Sequence, residues 1–141
     1  AALLIAEGRH EYPLAGLLRD RVKSTWFEPV LTPANARKRW IQGHVNPAGV
    51  IMIDAVAAEA LSSGKSLLPI GVRRVEGAFS RGDAVRIVAE NGEDLAIGLC
   101  AFSSADAERI AGLRSGDIED ILGYAGRTEM VHRNDLVLLR R

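Results

Sequence analysis

The stretch "AVRIVAENGEDLAIGL", residues 84–99, sets two strand-like runs on either side of Asn91-Gly92. Val85, Ile87 and Ala89 alternate with Arg86 and Val88, the period of a strand with one face against a core. An Asn-Gly pair between two such runs is the composition of a tight hairpin turn, whose central residues need positive φ. The second run extends as "EDLAIGLCAF", residues 93–102.

Upstream, "SRGD" (80–83) is a further turn signal, and it contains Arg81-Gly82-Asp83, the tripeptide associated with cell adhesion. Gly82 supplies a permissive backbone, Asp83 can bond nearby amides, and Phe79 offers a core anchor ahead of the turn. The tripeptide therefore reads as turn chemistry. Adhesion would need a secreted, exposed loop, and a single cysteine without a leader favours a reducing compartment, the cytoplasm.

Before that turn, "GVRRVEG" (71–77) reads as another strand, and "VIMID" (50–54) as a strand whose Asp54 is placed to cap the helix "AVAAEALSSG" (55–64), ending at Gly64. After Phe102, Ser103 and Asp106 stand at capping-box spacing and open a helix toward Gly112. "GDIEDILG" (116–123) is a second short helix with Ile118, Ile121 and Leu122 on one face. "EMVHRNDLVLL" (129–139) gives two strand-like pieces around Arg133-Asn134-Asp135.

The N-terminal 28 residues have a different texture. "ALLIA" (2–6) reads as a buried strand stopped by Glu7-Gly8; Leu14, Leu17 and Leu18 share a helical face; "STWFEP" (24–29) is a short strand closed by Pro29. This unit is too small to bury itself and predicts the tail of a larger α/β domain. The chain also begins without Met, at full apolar density, so it is treated as a fragment. Residues 29–48, with three prolines and the basic triplet Arg37-Lys38-Arg39 before Trp40, read as a solvated linker holding a snug Trp, with a phosphate-binding patch as the less favoured reading of the triplet.

With 141 residues and 48% hydrophobic content the chain can build a real core. Lys plus Arg equals Asp plus Glu at eighteen each, so no global field draws nucleic acid in, and 5% aromatic content is thin for base stacking. The opening apolar run is too short to span a membrane.

Chemical motifs are few. Gly64-Lys65-Ser66 has the end of a phosphate-binding P-loop, but Glu59 stands where its first glycine belongs, and the order helix, loop, strand reverses that motif. Gly64 is then a helix C-cap and Lys65 a favourable charge at the helix end. His10, His44 and His132 lack metal-ligand spacing, Cys100 reads as a small core residue, and no catalytic acid pair stands out.

The segment "LLPIGV…VEGAFSRGDAVRIV…NGEDLAIGLCAFSS" resembles the PUA domain, a β-rich pseudo-barrel with short helices found on RNA-modifying enzymes. With "ARKRWIQG" (36–43), "GKSLLPIGV" (64–72), "RIAGLRSGDIEDILGY" (109–124) and "VHRNDLVLL" (131–139), residues 33–141 resemble the C-terminal part of the bacterial glutamate 5-kinase family. "LLIAEGR" (3–9) is similar to that family's "VIADGR" run, while Ser24-Thr25-Trp26-Phe27 departs from its usual Gly-Thr pair. The resemblance implies an α+β, β-rich PUA domain at 49–141, a linker at 29–48, and a strand-helix-strand remnant of an amino-acid-kinase domain at 1–28.

The resemblance further implies that ATP, magnesium and glutamate are handled by a kinase domain upstream in the same chain, which forms a homo-oligomer without membrane attachment. That chemistry is phosphoryl transfer to the γ-carboxylate of glutamate, the first step of proline biosynthesis. No catalytic, cofactor-binding or metal residue carries over to the present residues. The alternative is an RNA-docking module, since PUA domains that bind RNA use the helix after the first strand and the following glycine-bearing loop. Lys65, Pro69, Gly71 and Arg73 fall on that loop and its exit, as RNA or ligand contacts; the zero net charge favours solvated side chains and a turn glycine instead.

Overall fold

The computed structural model describes residues 3–6, 9, 12–19, 23–28, 32–44 and 46–139, which fall into two units, Ala1–Ala36 and Arg37–Arg141. The first holds β1 (Leu3–Ala6), α1 (Pro13–Leu18) and β2 (Ser24–Phe27). Helix α2 (Pro33–His44) begins in the first unit and continues in the second. Then come β3 (Gly49–Ile53), α3 (Ala55–Ser62), a 3-10 turn at Pro69–Gly71, β4 (Val72–Gly77), β5 (Ala84–Ala89), β6 (Asp94–Leu99), α4 (Ser104–Ile110), α5 (Ile118–Leu122), a 3-10 turn at Arg133–Asp135, and β7 (Leu136–Leu138).

The second unit is organised by a five-stranded sheet of order β4-β3-β5-β6-β7. Strands β3 and β5 run parallel, Gly49 opposite Val85 and Ile53 opposite Ala89, and the remaining pairs are antiparallel. A parallel neighbour needs a long crossover, and α3 with β4 supplies it. The β5–β6 hairpin forms around Asn91-Gly92 as expected, but its turn is centred on Glu90-Asn91: the Gly92 amide donates to the Ala89 carbonyl at 2.9 Å, Gly92 takes φ 84° as the left-handed residue after the turn, and the Asn91 Oδ1 accepts from the Glu93 amide at 3.0 Å.

Arg81-Gly82-Asp83 is a turn. Gly82 has φ 93°, the Asp83 carboxylate accepts from the Ser80 amide at 2.8 Å, and Phe79 is buried in the core. One expected exposure fails in β5. The β5–β6 register shifts between Ile87 and Val88, and Val88 is buried beside Ile87 rather than facing water. The extra residue of this irregularity is Leu95 of β6, so β5 keeps its alternation, and Val88 is buried on the side opposite Ile87, outside the core cluster that holds Ile87.

The core joins Ile51 and Ile53 of β3, Val85 and Ile87 of β5, and Leu61 of α3 with Phe102, Ile110, Met130 and Val131. Two caps close their helices as the residues predict. Asp54 Oδ1 accepts from the Ala57 amide at 2.8 Å at the start of α3, and Ser103 accepts from the Asp106 amide at 3.3 Å at the start of α4. At the end of α3, Gly64 takes φ 76°, its amide donates to the Leu61 carbonyl at 2.9 Å, and the Lys65 amide to the Ala60 carbonyl at 3.1 Å. This is the Schellman pattern that glycine at that position favours.

Residues 33–44 are helical where the sequence reads as linker. The signal was present: Thr32 before Pro33 is an N-cap followed by proline at the first helical position, and Thr32 Oγ1 accepts from the Asn35 amide at 3.3 Å. Ile41 is buried and Trp40 is 52% exposed, so the apolar anchor of this helix is the isoleucine rather than the tryptophan.

In the first unit the strand, helix, strand order appears, with β1 and β2 antiparallel and Leu3 opposite Phe27. The expectation of a buried β1 fails, since Leu3 is 59% and Ile5 55% exposed. A two-stranded sheet has no second layer to cover its apolar side chains. Glu7-Gly8, His10 and Pro29 lie outside the described residues. Among the described residues no helix is long and apolar enough to cross a membrane.

Cys100 follows β6 and is 1% exposed. Burial pushes its thiol from the ordinary value of 9.0 up to about 11, because a thiolate there would lose its hydration. The folded state keeps the proton while the unfolded chain releases it above pH 9, so stability is present below that value and lost as pH rises through the window to 11. Chemical unfolding at pH 9 and 11 is expected to show a loss on the order of 2–3 kcal/mol from this group. In Cys100→Ala that part of the pH dependence disappears.

Candidate functional site

At the end of β3 the chain turns into α3 through Asp54, whose two carboxylate oxygens do separate work. Oδ1 caps α3, and Oδ2 accepts from Arg73 Nη2 at 2.9 Å. The Asp54 amide in turn donates to the Gly71 carbonyl at 3.0 Å, tying β3 to the loop before β4. Together α3, residues 65–71 and the start of β4 enclose an open groove of about 580 Å³. That volume lies within the range of small-ligand sites, roughly 300–1,000 Å³.

The groove brings together three of the four residues picked from the sequence: Lys65, Gly71 and Arg73 line it. Pro69 does not. It is buried beneath the groove, and its carbonyl accepts from the Gly112 amide at 2.8 Å. A Cβ on Gly71 would run into the Ala57 side chain, so this glycine is required by the close approach of the loop to α3. Its φ lies outside the left-handed range.

The two cations differ. Arg73 is spent on Asp54 and stands 3.8 Å from Glu90, whereas Lys65 makes no ion pair among the described residues. Lys65 therefore offers the groove a charge without an ion-pair partner among the described residues, and Arg73 offers one that Asp54 offsets.

Sequence reasoning missed the apolar lining. Val56, Leu68 and Ile70 line the groove and are all exposed. The signal lay in "LLPIG": Leu67, Pro69 and Gly71 are buried while Leu68 and Ile70 between them point outward, a period of two carried through a loop. Asp54 was read as a cap, and its second role depends on Arg73, nineteen residues away. Chemically the groove presents an apolar floor with Lys65, Arg73, Asp54 and Glu129 at its edges. Such a surface binds and orients; it assembles no nucleophile with a base. Among the described residues no group of three His, Cys, Asp or Glu is placed to hold a metal ion.

Glutamate 5-kinase 1 of Rhizobium meliloti (strain 1021) is 51% identical over 137 residues, covering 97% of this chain and 35% of its own length. Glutamate 5-kinase of Sinorhizobium fredii (strain NBRC 101917 / NGR234) is 52% identical with the same coverage. The chain thus spans about a third of the length of the relatives it matches. Among solved structures, a PUA domain from Aeropyrum pernix K1 in complex with tartrate aligns with a TM-score of 0.47 and 20% identity, covering 93% of this chain and 85% of that one. Residues 49–122, from the start of β3 through α5, match the PUA domain model, and the chain belongs to the PUA domain family.

Proposed function

We propose that this chain is the C-terminal PUA region of a glutamate 5-kinase and that it assists assembly or regulation of a kinase domain upstream in the same protein. The observation that carries this reading is the extent of the likeness. It runs over 137 residues at about half identity, well beyond the 49–122 segment and into the strand-helix-strand unit, which a PUA module alone does not account for. On this reading residues 1–28 are the edge of the amino-acid-kinase domain, and the exposed Leu3 and Ile5 face the layer that domain supplies.

Glutamate, ATP and magnesium then belong to the upstream domain, and the parent is a cytoplasmic homo-oligomer. The present residues take no part in the phosphoryl transfer. RNA docking in the groove is disfavoured, because Arg73 is already paired and the zero net charge provides no attraction for a phosphate backbone.

The test is to produce the complete protein with and without residues 37–141. Glutamate-dependent ADP formation is expected to survive the deletion, with an altered glutamate response or subunit assembly. Complete loss of turnover in a deletion protein that remains folded would contradict the auxiliary role.

A further inference from the structure

The groove lies where β3 ends, beside the pairing of Ile53 with Ala89; at the other end of the same two strands Gly49 pairs with Val85, and there three arginines from separate segments line one cavity with a single carboxylate. Asp135, in the 3-10 turn before β7, is 8% exposed. It forms an ion pair with Arg37, whose Nε stands 2.6 Å away, and accepts from Arg127 Nη1 at 3.4 Å. Arg81, from the turn ahead of β5, lines the same cavity of about 140 Å³, with Cys100 in its wall. The Arg81 guanidinium makes no ion pair among the described residues. Three guanidiniums and one carboxylate leave the cavity strongly positive in a chain with no net charge.

We propose that this cavity binds a phosphate-type oxyanion, either inorganic phosphate or the monoester head of a small phosphorylated ligand. Each guanidinium carries five N–H donors in a planar fork that suits such oxygens, and Arg37 and Arg127 each engage Asp135 through a single nitrogen. The buried carboxylate positions those two forks rather than exhausting them. Arg81 is set by a pinned turn: the Gly82 amide donates to the Cys100 carbonyl at 2.8 Å and the Cys100 amide to the Asp83 carbonyl at 2.9 Å. The cavity is smaller than the roughly 300 Å³ at which sites for drug-sized ligands begin. It therefore holds an anionic head and leaves the body of a larger ligand in solvent.

The experiment is an amide-resolved NMR titration of the 141-residue chain with inorganic phosphate at constant ionic strength, repeated with glycerol phosphate. Saturable shifts are expected at Gly82, Cys100 and Ala101. Arg81→Ala is expected to weaken the apparent affinity about tenfold, in line with the loss of a charged hydrogen-bond donor; Arg81→Lys loses less, and Lys65→Ala leaves it unchanged. Tighter binding of glycerol phosphate assigns the site to a phosphorylated small molecule, and equal binding assigns it to inorganic phosphate. Absence of saturation at those amides, or equal affinity in Arg81→Ala, would overturn the proposal. So would a short RNA that displaces both ligands there with higher affinity.

Discussion

Phe102→Ala is expected to lower the unfolding free energy by about 3–5 kcal/mol. The side chain is 2% exposed and joins the core where the chain leaves β6 for α4. Truncation removes the transfer free energy of the ring and leaves a cavity, because neighbours fixed in sheet and helix relax only partly. Domains of this size are stable by only about 5–15 kcal/mol, so the variant should sit near its unfolding transition. Urea unfolding checks this: the midpoint falls while the slope, which follows the area exposed on unfolding, is unchanged. Loss within the error of a surface substitution would mean that the ring is not part of the core.

Gly77→Ala is expected to cost about 2–5 kcal/mol, the sum of left-handed strain and overpacking. Gly77 ends β4 opposite Gly49 of β3 with φ 92°. An added Cβ would stand 2.8 Å from the Ala48 carbonyl oxygen and 2.9 Å from the Gly49 Cα. Both are backbone atoms at the entry to β3, which cannot swing aside as a flexible side chain can. Gly82→Ala separates the two contributions. Gly82 has nearly the same φ, 93°, with nothing within 4 Å of the added carbon, so only the conformational part remains, about 1–2 kcal/mol. Equal losses in the two variants, compared by thermal or urea unfolding, would show that the strand contact at Gly77 contributes nothing.

What could be read from the sequence follows from how local each signal is. The Asn91-Gly92 hairpin, the Asp54 and Ser103 caps and the Gly64 helix end each depend on a few neighbouring residues, and each forms as expected. The burial of Val88 depends on what covers the second face of β5, which no property of "AVRIVAE" announces. Helix α2 was hidden by counting Pro33 as a breaker, although after Thr32 it is a helix opener. The buried state of β1 was inferred from composition alone, yet burial needs a covering layer, and exposed Leu3 and Ile5 show that apolar character is insufficient.

The groove was legible in part for the same reason. Lys65, Gly71 and Arg73 could be placed on one loop, but Gly71 serves packing against Ala57 and Arg73 is held by Asp54 across nineteen positions. Neither fact is encoded near the residue concerned. The Arg37, Arg127 and Asp135 cluster is more distant still, joining α2 to the last strand. Three-dimensional proximity alone makes it a site.

We propose that this chain is the non-catalytic PUA region of a glutamate 5-kinase. The most direct measurement is glutamate-dependent ADP formation by the complete natural reading frame, assayed beside the 141-residue chain. Turnover that requires glutamate, ATP and magnesium is expected in the complete protein, and none in the chain alone. Absence of glutamate-dependent turnover in the complete protein, or turnover by the chain alone, would contradict this reading.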